Sequence, residues 1–173
     1  MAQSEYPQNK TTMGTDRERR ERIRSTEIVY IVAPSGTGKT FAGDYLALTQ
    51  GFTHIDGDGP IKNMHLPRYT DMATNMWRDF YENVAKNHDG PDELWQPYMA
   101  ELVRQTLAAA ETSRRVVLTH ATYRQKYRDF VLRKLEEGGA SKENITVVTL
   151  TIDIDVLLAG LYLRSKHLIE AGG

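Results

Sequence analysis

The sequence predicts an α/β domain in which a parallel sheet carries helices on both faces. Three observations predict it. Short, nearly continuous apolar runs recur along the chain, the pattern of strands buried on both faces. Amphipathic stretches of helical period separate them, the alternation that builds a parallel sheet. A glycine-containing loop, Ala33–Thr40, joins the first such strand to the first such helix.

Residues 1–26 read as a charged leader. They are polar and include the run Asp16-Arg17-Glu18-Arg19-Arg20-Glu21-Arg22. With little to bury, this segment is expected to be a solvated, mobile leader or a frayed helix. Residues 27–173 form the folded domain. Glu27–Ala33 is the first strand. A helix over Thr40–Gln50 stops at Gly51, and Phe52–Asp56 is a second strand. Two helices follow. Asp71–Asn87 sets Met72, Met76, Trp77, Phe80 and Val84 on one stripe, and Asp92–Thr112 does the same with Leu94, Trp95, Met99, Leu102, Val103 and Leu107. Both tryptophans are therefore expected in the core. Pro97 falls in the first turns of its helix, where its missing N–H is tolerated best. Arg115–His120 is a third strand, Tyr123–Glu137 a helix ended by Gly138-Gly139, and Ile145–Thr151 a fourth strand. Asp153–Ala171 is a last helix with Ile154, Leu157, Leu158 and Leu161 on its apolar face.

Composition narrows the function classes. A chain of 173 residues suffices for one domain with a real core. The formal net charge of -1 supplies no global field for nucleic acid or membrane. The absence of cysteine excludes a disulfide framework and cysteine-ligated zinc. The five histidines, His54, His65, His88, His120 and His167, show no metal-ligand spacing. No apolar run is long enough to cross a membrane, and no secretory signal is visible, so the cytoplasm is the expected location.

The loop Ala33-Pro34-Ser35-Gly36-Thr37-Gly38-Lys39-Thr40 fits the Walker A pattern, with alanine at the first glycine position. Gly36 and Gly38 let successive backbone N–H groups point at phosphate oxygens. The helix that follows adds its N-terminal partial charge. Lys39 is suited to the β- and γ-phosphates and Thr40 to Mg²⁺, so Ser35, Gly36, Thr37, Gly38, Lys39 and Thr40 are expected to cradle a purine nucleoside triphosphate. After the second strand comes Asp56-Gly57-Asp58-Gly59. Ligands of open parallel sheets bind beyond the carboxyl ends of the strands, so this turn shares the rim of the P-loop. Beside Mg²⁺-ATP, one carboxylate can hold a metal-bound water and the other can accept the proton of an attacking hydroxyl.

These residues resemble the gluconate kinase and shikimate kinase branch of the P-loop small-molecule kinases. The Ser-Gly-Thr-Gly-Lys-Thr loop and Asp56-Gly57-Asp58 carry the resemblance first. His120 to Asp129 is similar to the gluconate kinase segment Cys-Ser-Ala-Leu-Lys, two residues, Tyr-Arg-Asp, and Arg164-Ser165-Lys166-His167 looks like its lid segment. The resemblance spans about residues 28–167. It implies the three-layer P-loop NTPase sandwich, with at least four parallel strands ordered 2-3-1-4. It also implies Mg²⁺-dependent transfer of the γ-phosphoryl group of ATP to a hydroxyl of a sugar acid or similar molecule, with a possible homodimer. In that scheme Asp56 and Thr40 serve the metal. Lys39, Asp58 and Arg164 are catalytic, with Asp58 holding the acceptor hydroxyl. Arg124 and Arg128 point toward the acceptor, and their i, i+4 spacing is expected to put both on one helix face. Lys62 and Arg68, in the segment after the carboxylates, are further acceptor candidates as carboxylate or phosphate clamps.

The chain departs from the gluconate kinases on the acceptor side. It reads Gly59-Pro60-Ile61-Lys62-Asn63-Met64-His65 where they have Leu-His and then Asn-x-x-Lys-Met, and it lacks their Asp-x-Asp-Arg-x-Pro-Trp-Leu stretch. Gly160 stands at an earlier lid arginine. The sequence reaches Gly173 without the family's fifth strand and final helix, where adenine contacts are usually made, which leaves open a longer natural chain or a shortened variant of the fold. Gluconate itself is therefore not carried over as the acceptor. Two alternatives stay open: a nucleoside, nucleotide or polynucleotide 5′-kinase, which would place stacking aromatics or basic tracks around the acceptor cleft, and a nucleotide-binding regulatory module with weak turnover. His120 ends a strand on the ligand rim, as a site histidine or a packed one.

Overall fold

The computed structural model describes residues 15–171, with side chains through residue 163. Four strands, β1 (Glu27–Val32), β2 (Thr53–Asp56), β3 (Arg115–His120) and β4 (Ile145–Thr149), form one sheet in the order β2-β3-β1-β4. All three pairings are parallel. Among the described residues seven α-helices accompany them: α1 (Asp16–Ser25), α2 (Lys39–Gln50), α3 (Gly59–Lys62), α4 (Pro67–Glu82), α5 (Asp92–Ala110), α6 (Gln125–Glu137) and α7 (Ile154–Ala171).

Side-chain alternation along β3 puts helices on both faces. Val116 and Leu118 join Tyr98, Met99 and Leu102 of α5 in the main core, with Ile28, Tyr30 and Val32 of β1 beside them. Thr119, of the opposite parity, accepts or donates a hydrogen bond at 2.8 Å with Nε2 of His54, whose Nδ1 lies 2.9 Å from Asp44 of α2. α6 closes the core from outside α5. Trp95 stacks on Tyr127 with ring centroids 4.2 Å apart and meets Phe130 edge-on.

The structure differs from the sequence expectation at five places. Residues 15–25 are a capped helix. Thr15 and Glu18 form a reciprocal capping box, and Ile23 is buried in the core. The capping box starts the helix, and one buried apolar residue with the Arg19–Glu111 ion pair docks a segment whose charge pattern suggests solvation. α4 begins at Pro67, four residues early, because proline suits a first helical turn. The short α3 carries no periodicity of its own. Trp77 is 38% exposed, unlike Trp95 at 2%. On α7, Leu157 and Leu161 face the P-loop, whereas Ile154 and Leu158 are exposed.

Candidate nucleotide and acceptor site

Register brings three loops to one rim. Val32, the last residue of β1, lies opposite His120 of β3 and Thr149 of β4, and Asp56 of β2 lies opposite Thr119. The P-loop, the Asp56–Gly59 turn and the segment after His120 therefore leave the sheet side by side.

The P-loop has the backbone its sequence requires. Gly36 and Gly38 sit at φ 85° and 87°, the left-handed region where a side chain is strained. α2 begins at Lys39, so the N-terminal end of a twelve-residue helix faces the loop. The Lys39 ammonium donates to the Pro34 carbonyl oxygen at 2.6 Å, and the Thr37 hydroxyl donates to the same oxygen at 2.8 Å. Ser35 Oγ lies 3.0 Å from the Tyr123 hydroxyl. Thr40 is exposed in the first turn of α2.

The carboxylate turn is held from below. The Gly57 N–H donates to the Thr119 carbonyl at 2.7 Å, and the buried Tyr98 hydroxyl donates to the Gly57 carbonyl at 2.6 Å. A Cβ on Gly57 would stand 2.3 Å from the Thr119 oxygen and 2.6 Å from His120 Cβ, so only glycine lets the turn lie this close to β3. His120 is buried under it and bonds through Nδ1 to Thr122 at 3.0 Å. Burial, seconded by the Lys39 cation, pushes its imidazole down to about 4. It is a neutral, packed support for the turn.

Asp56 and Asp58 face Lys39 electrostatically. Burial lowers the Lys39 ammonium from its ordinary range, and Asp58 and then Asp56 oppose that shift. Burial also works on Asp56, upward. The Lys62 ammonium paired with its carboxylate and the Asp58 N–H donating at 3.0 Å outweigh this and hold it below the usual carboxylate range. Asp56 is thus ionised and already carries a cation, a setting that fits a divalent ion shared with phosphate oxygens. Among the described residues no cluster of three or more His, Cys, Asp or Glu could hold a metal alone.

The arginines expected at an acceptor diverge. Arg124 is the N-cap of α6, so its spacing to Arg128 does not put the two on one helix face. Its guanidinium reaches Asn87 Oδ1 at 3.1 Å and the His88 carbonyl at 2.7 Å. Arg128 donates to the Thr122 carbonyl at 2.9 Å and to Gln125 Oε1 at 2.5 Å. Arg128 also lines a cavity of about 190 Å³ with Val32, Ala33, Pro34, Tyr123 and Thr149. Arg68 pairs with Glu101 at 3.1 Å, within a cluster completed by Arg104. Arg164 lies on α7, with its side chain outside the described residues. Sequence reasoning did not single out Tyr123 or Tyr98. The signal for Tyr123 was its place three residues past a strand end on the ligand rim.

Strand order, P-loop and carboxylate turn define a P-loop NTPase α/β fold. Two solved structures share it. A gluconokinase from Sinorhizobium meliloti aligns with a TM-score of 0.52 and 23% identity, over 83% of this chain and 68% of that one. An unliganded sugar kinase from a Janibacter species aligns with a TM-score of 0.53 and 20% identity, over 79% of this chain and 66% of that one. This chain therefore spans about two thirds of their length. No protein-family model matches the chain, and no curated protein matches it.

Proposed function

We propose that this protein is an ATP-dependent phosphotransferase that moves the γ-phosphoryl group to a hydroxyl of a small molecule. The observation that carries this reading is the shared rim on which the P-loop and the Asp56–Asp58 turn leave the sheet, with Lys39 in the electrostatic field of both carboxylates. Phosphoryl transfer depends on positioning and charge neutralisation rather than covalent chemistry by the protein, and those are the roles this rim supplies. The P-loop N–H groups and Lys39 hold the triphosphate. Thr40 and Asp56 would hold Mg²⁺, which when bound neutralises charge on the β- and γ-oxygens. Asp58 orients the acceptor hydroxyl and takes its proton as the acceptor oxygen bonds to the γ-phosphorus. The bond to the β,γ-bridging oxygen breaks in the same step, and ADP leaves.

Leu157 and Leu161 of α7 support a lid role for that helix. A Cβ on Gly36 would approach Leu161 Cδ2 to 2.9 Å, so α7 lies directly on the loop. We assign Arg164 to that lid, as a charge stabiliser for the transferred group. Among the described residues no helix is long and apolar enough to cross a membrane. A cysteine-free chain suits a reducing compartment, and we assign the enzyme to the cytoplasm. The test is ADP formation across sugar acids, polyols and nucleosides. Acceptor-stimulated ADP formation that disappears in Lys39→Ala supports the kinase. Tight ATP binding with no stimulation by any acceptor contradicts it.

A further inference from the structure

The rim carries an aromatic surface that the phosphate chemistry does not use. Trp77, Phe80 and Tyr81 share one face of α4 by their spacing. Trp77 and Tyr81 are stacked, with centroids 5.7 Å apart and planes 22° apart. Phe80 meets both edge-on, at 6.0 and 5.4 Å. Phe80 also lies 5.7 Å from Tyr123, whose hydroxyl reaches Ser35 of the P-loop at 3.0 Å. A continuous set of four rings thus runs from the phosphate loop outward. Three of them are open to solvent: Trp77 is 38%, Tyr123 39% and Tyr81 63% exposed. The apolar core takes Trp95 instead.

The rings stand on the acceptor side. Tyr123 follows β3, which is the neighbour of β2 and its Asp56–Asp58 turn, and α4 continues the chain from that turn. β4 lies at the other edge of the sheet, beyond β1. Three of the cations on this side are engaged by protein groups, whereas Arg78 of α4 is exposed to solvent. Arg68 is on Glu101, Arg124 is on Asn87 and the His88 carbonyl, and Lys126 donates to the Gly90 carbonyl beside Asp89 and Asp92. A carboxylate clamp for a sugar acid and a basic track for a polynucleotide backbone are both poorly served by such groups. Stacked aromatics suit a flat ring of any base type.

We propose that the acceptor is a nucleoside, its base stacked on the Trp77–Tyr81 and Tyr123 surface and its sugar hydroxyl directed to Asp58. This rests on the kinase reading above and names the acceptor class for that same site.

Tryptophan fluorescence of the full chain tests it, because the sequence has two tryptophans and Trp95 is buried. Adenosine, guanosine, cytidine and uridine are titrated in the presence of Mg²⁺ and saturating AMP-PNP, with ribose and gluconate as controls. ADP formation is measured with ATP and the same panel, extended to a short single-stranded oligonucleotide with a 5′-hydroxyl. The expected result is saturable quenching by at least one nucleoside, with ADP formation stimulated by the same compound. Tyr81→Ala and Trp77→Leu should each raise its KM about tenfold, the worth of one base–aromatic stack, with the KM for ATP and the Tm unchanged. Tyr81 is exposed, so its variant folds. Four results overturn the proposal. ADP formation driven by ribose or gluconate with nucleosides inert is the first, and it leaves the kinase reading standing. The whole quench produced by AMP-PNP alone is the second, and it gives the rings to the donor's base. The oligonucleotide as preferred acceptor is the third. The fourth is no stimulation by an acceptor of any class, in which case the kinase reading falls too.

Discussion

The Lys39 ammonium and the Thr37 hydroxyl converge on one acceptor, the Pro34 carbonyl oxygen, at 2.6 and 2.8 Å. The loop is thereby closed on itself, with its lysine held at the mouth of α2. A triphosphate offers that ammonium stronger, charged acceptors. Lys39→Ala should weaken ATP binding by at least about tenfold, in keeping with a lost charge-assisted bond, and should lower turnover with it. Titration calorimetry with an ATP analogue and Mg²⁺ measures the first effect. Unchanged affinity would remove Lys39 from the phosphate site.

Asp58 is assigned to the acceptor rather than to the nucleotide. Asp58→Asn keeps the shape and loses the base. Turnover should fall by about 10²- to 10⁴-fold, the usual contribution of a positioned general base. Affinity for ATP should stay within about twofold. Steady-state kinetics beside direct nucleotide binding separates the two. Loss of ATP binding would move Asp58 to the donor side.

Much of this was legible in the sequence. The strands were visible because β-branched runs buried on both faces leave little ambiguity, and Arg115–His120 coincides with β3. The P-loop was legible because its glycines and lysine each answer to a chemical need. α1 was not, since Ile23 is its one buried residue among charged ones, and the pairing of Arg19 with Glu111 is a tertiary contact. Trp77 and Trp95 carry the same apolar signal, and only the tertiary placement of α6 over Trp95 separates them. The partners of Arg124 and Arg128 were beyond the sequence too. Spacing tells which residues share a helix face, but Arg124 is a cap and turns toward the loop before α5.

His120 gives a pH signature. Its folded-state value lies at about 4, below the ordinary 6.5, because burial and then Lys39 disfavour the imidazolium. The unfolded chain therefore takes up a proton that the folded chain refuses. The contribution is fully present above pH 6.5 and is lost as pH falls toward 4, by a total on the order of 3 kcal/mol. Urea denaturation at pH 7 and pH 4.5 should show a smaller loss for His120→Gln than for the wild type. Equal losses would mean that His120 titrates normally.

Asp79 of α4 is fully buried and takes a hydrogen bond from the Tyr127 hydroxyl, with Asn83 donating to its other oxygen at 3.1 Å. Removing the hydroxyl leaves a buried acceptor short of a donor, while the ring still stacks on Trp95. Tyr127→Phe should cost about 1–3 kcal/mol of stability. Chemical denaturation checks it, and a loss below about 0.5 kcal/mol would show that the bond contributes little.

The central claim is that the γ-phosphoryl group passes to an organic hydroxyl. The most direct measurement follows it. ATP labelled at the γ-phosphate is incubated with the full chain, Mg²⁺ and a panel of nucleosides, sugar acids and polyols, and the labelled products are separated. The account predicts label in an organic phosphate, formed by the wild type and lost in Lys39→Ala and Asp58→Asn. Label that stays in ATP, or passes only to inorganic phosphate with every acceptor, would contradict it and leave a nucleotide-binding module in its place.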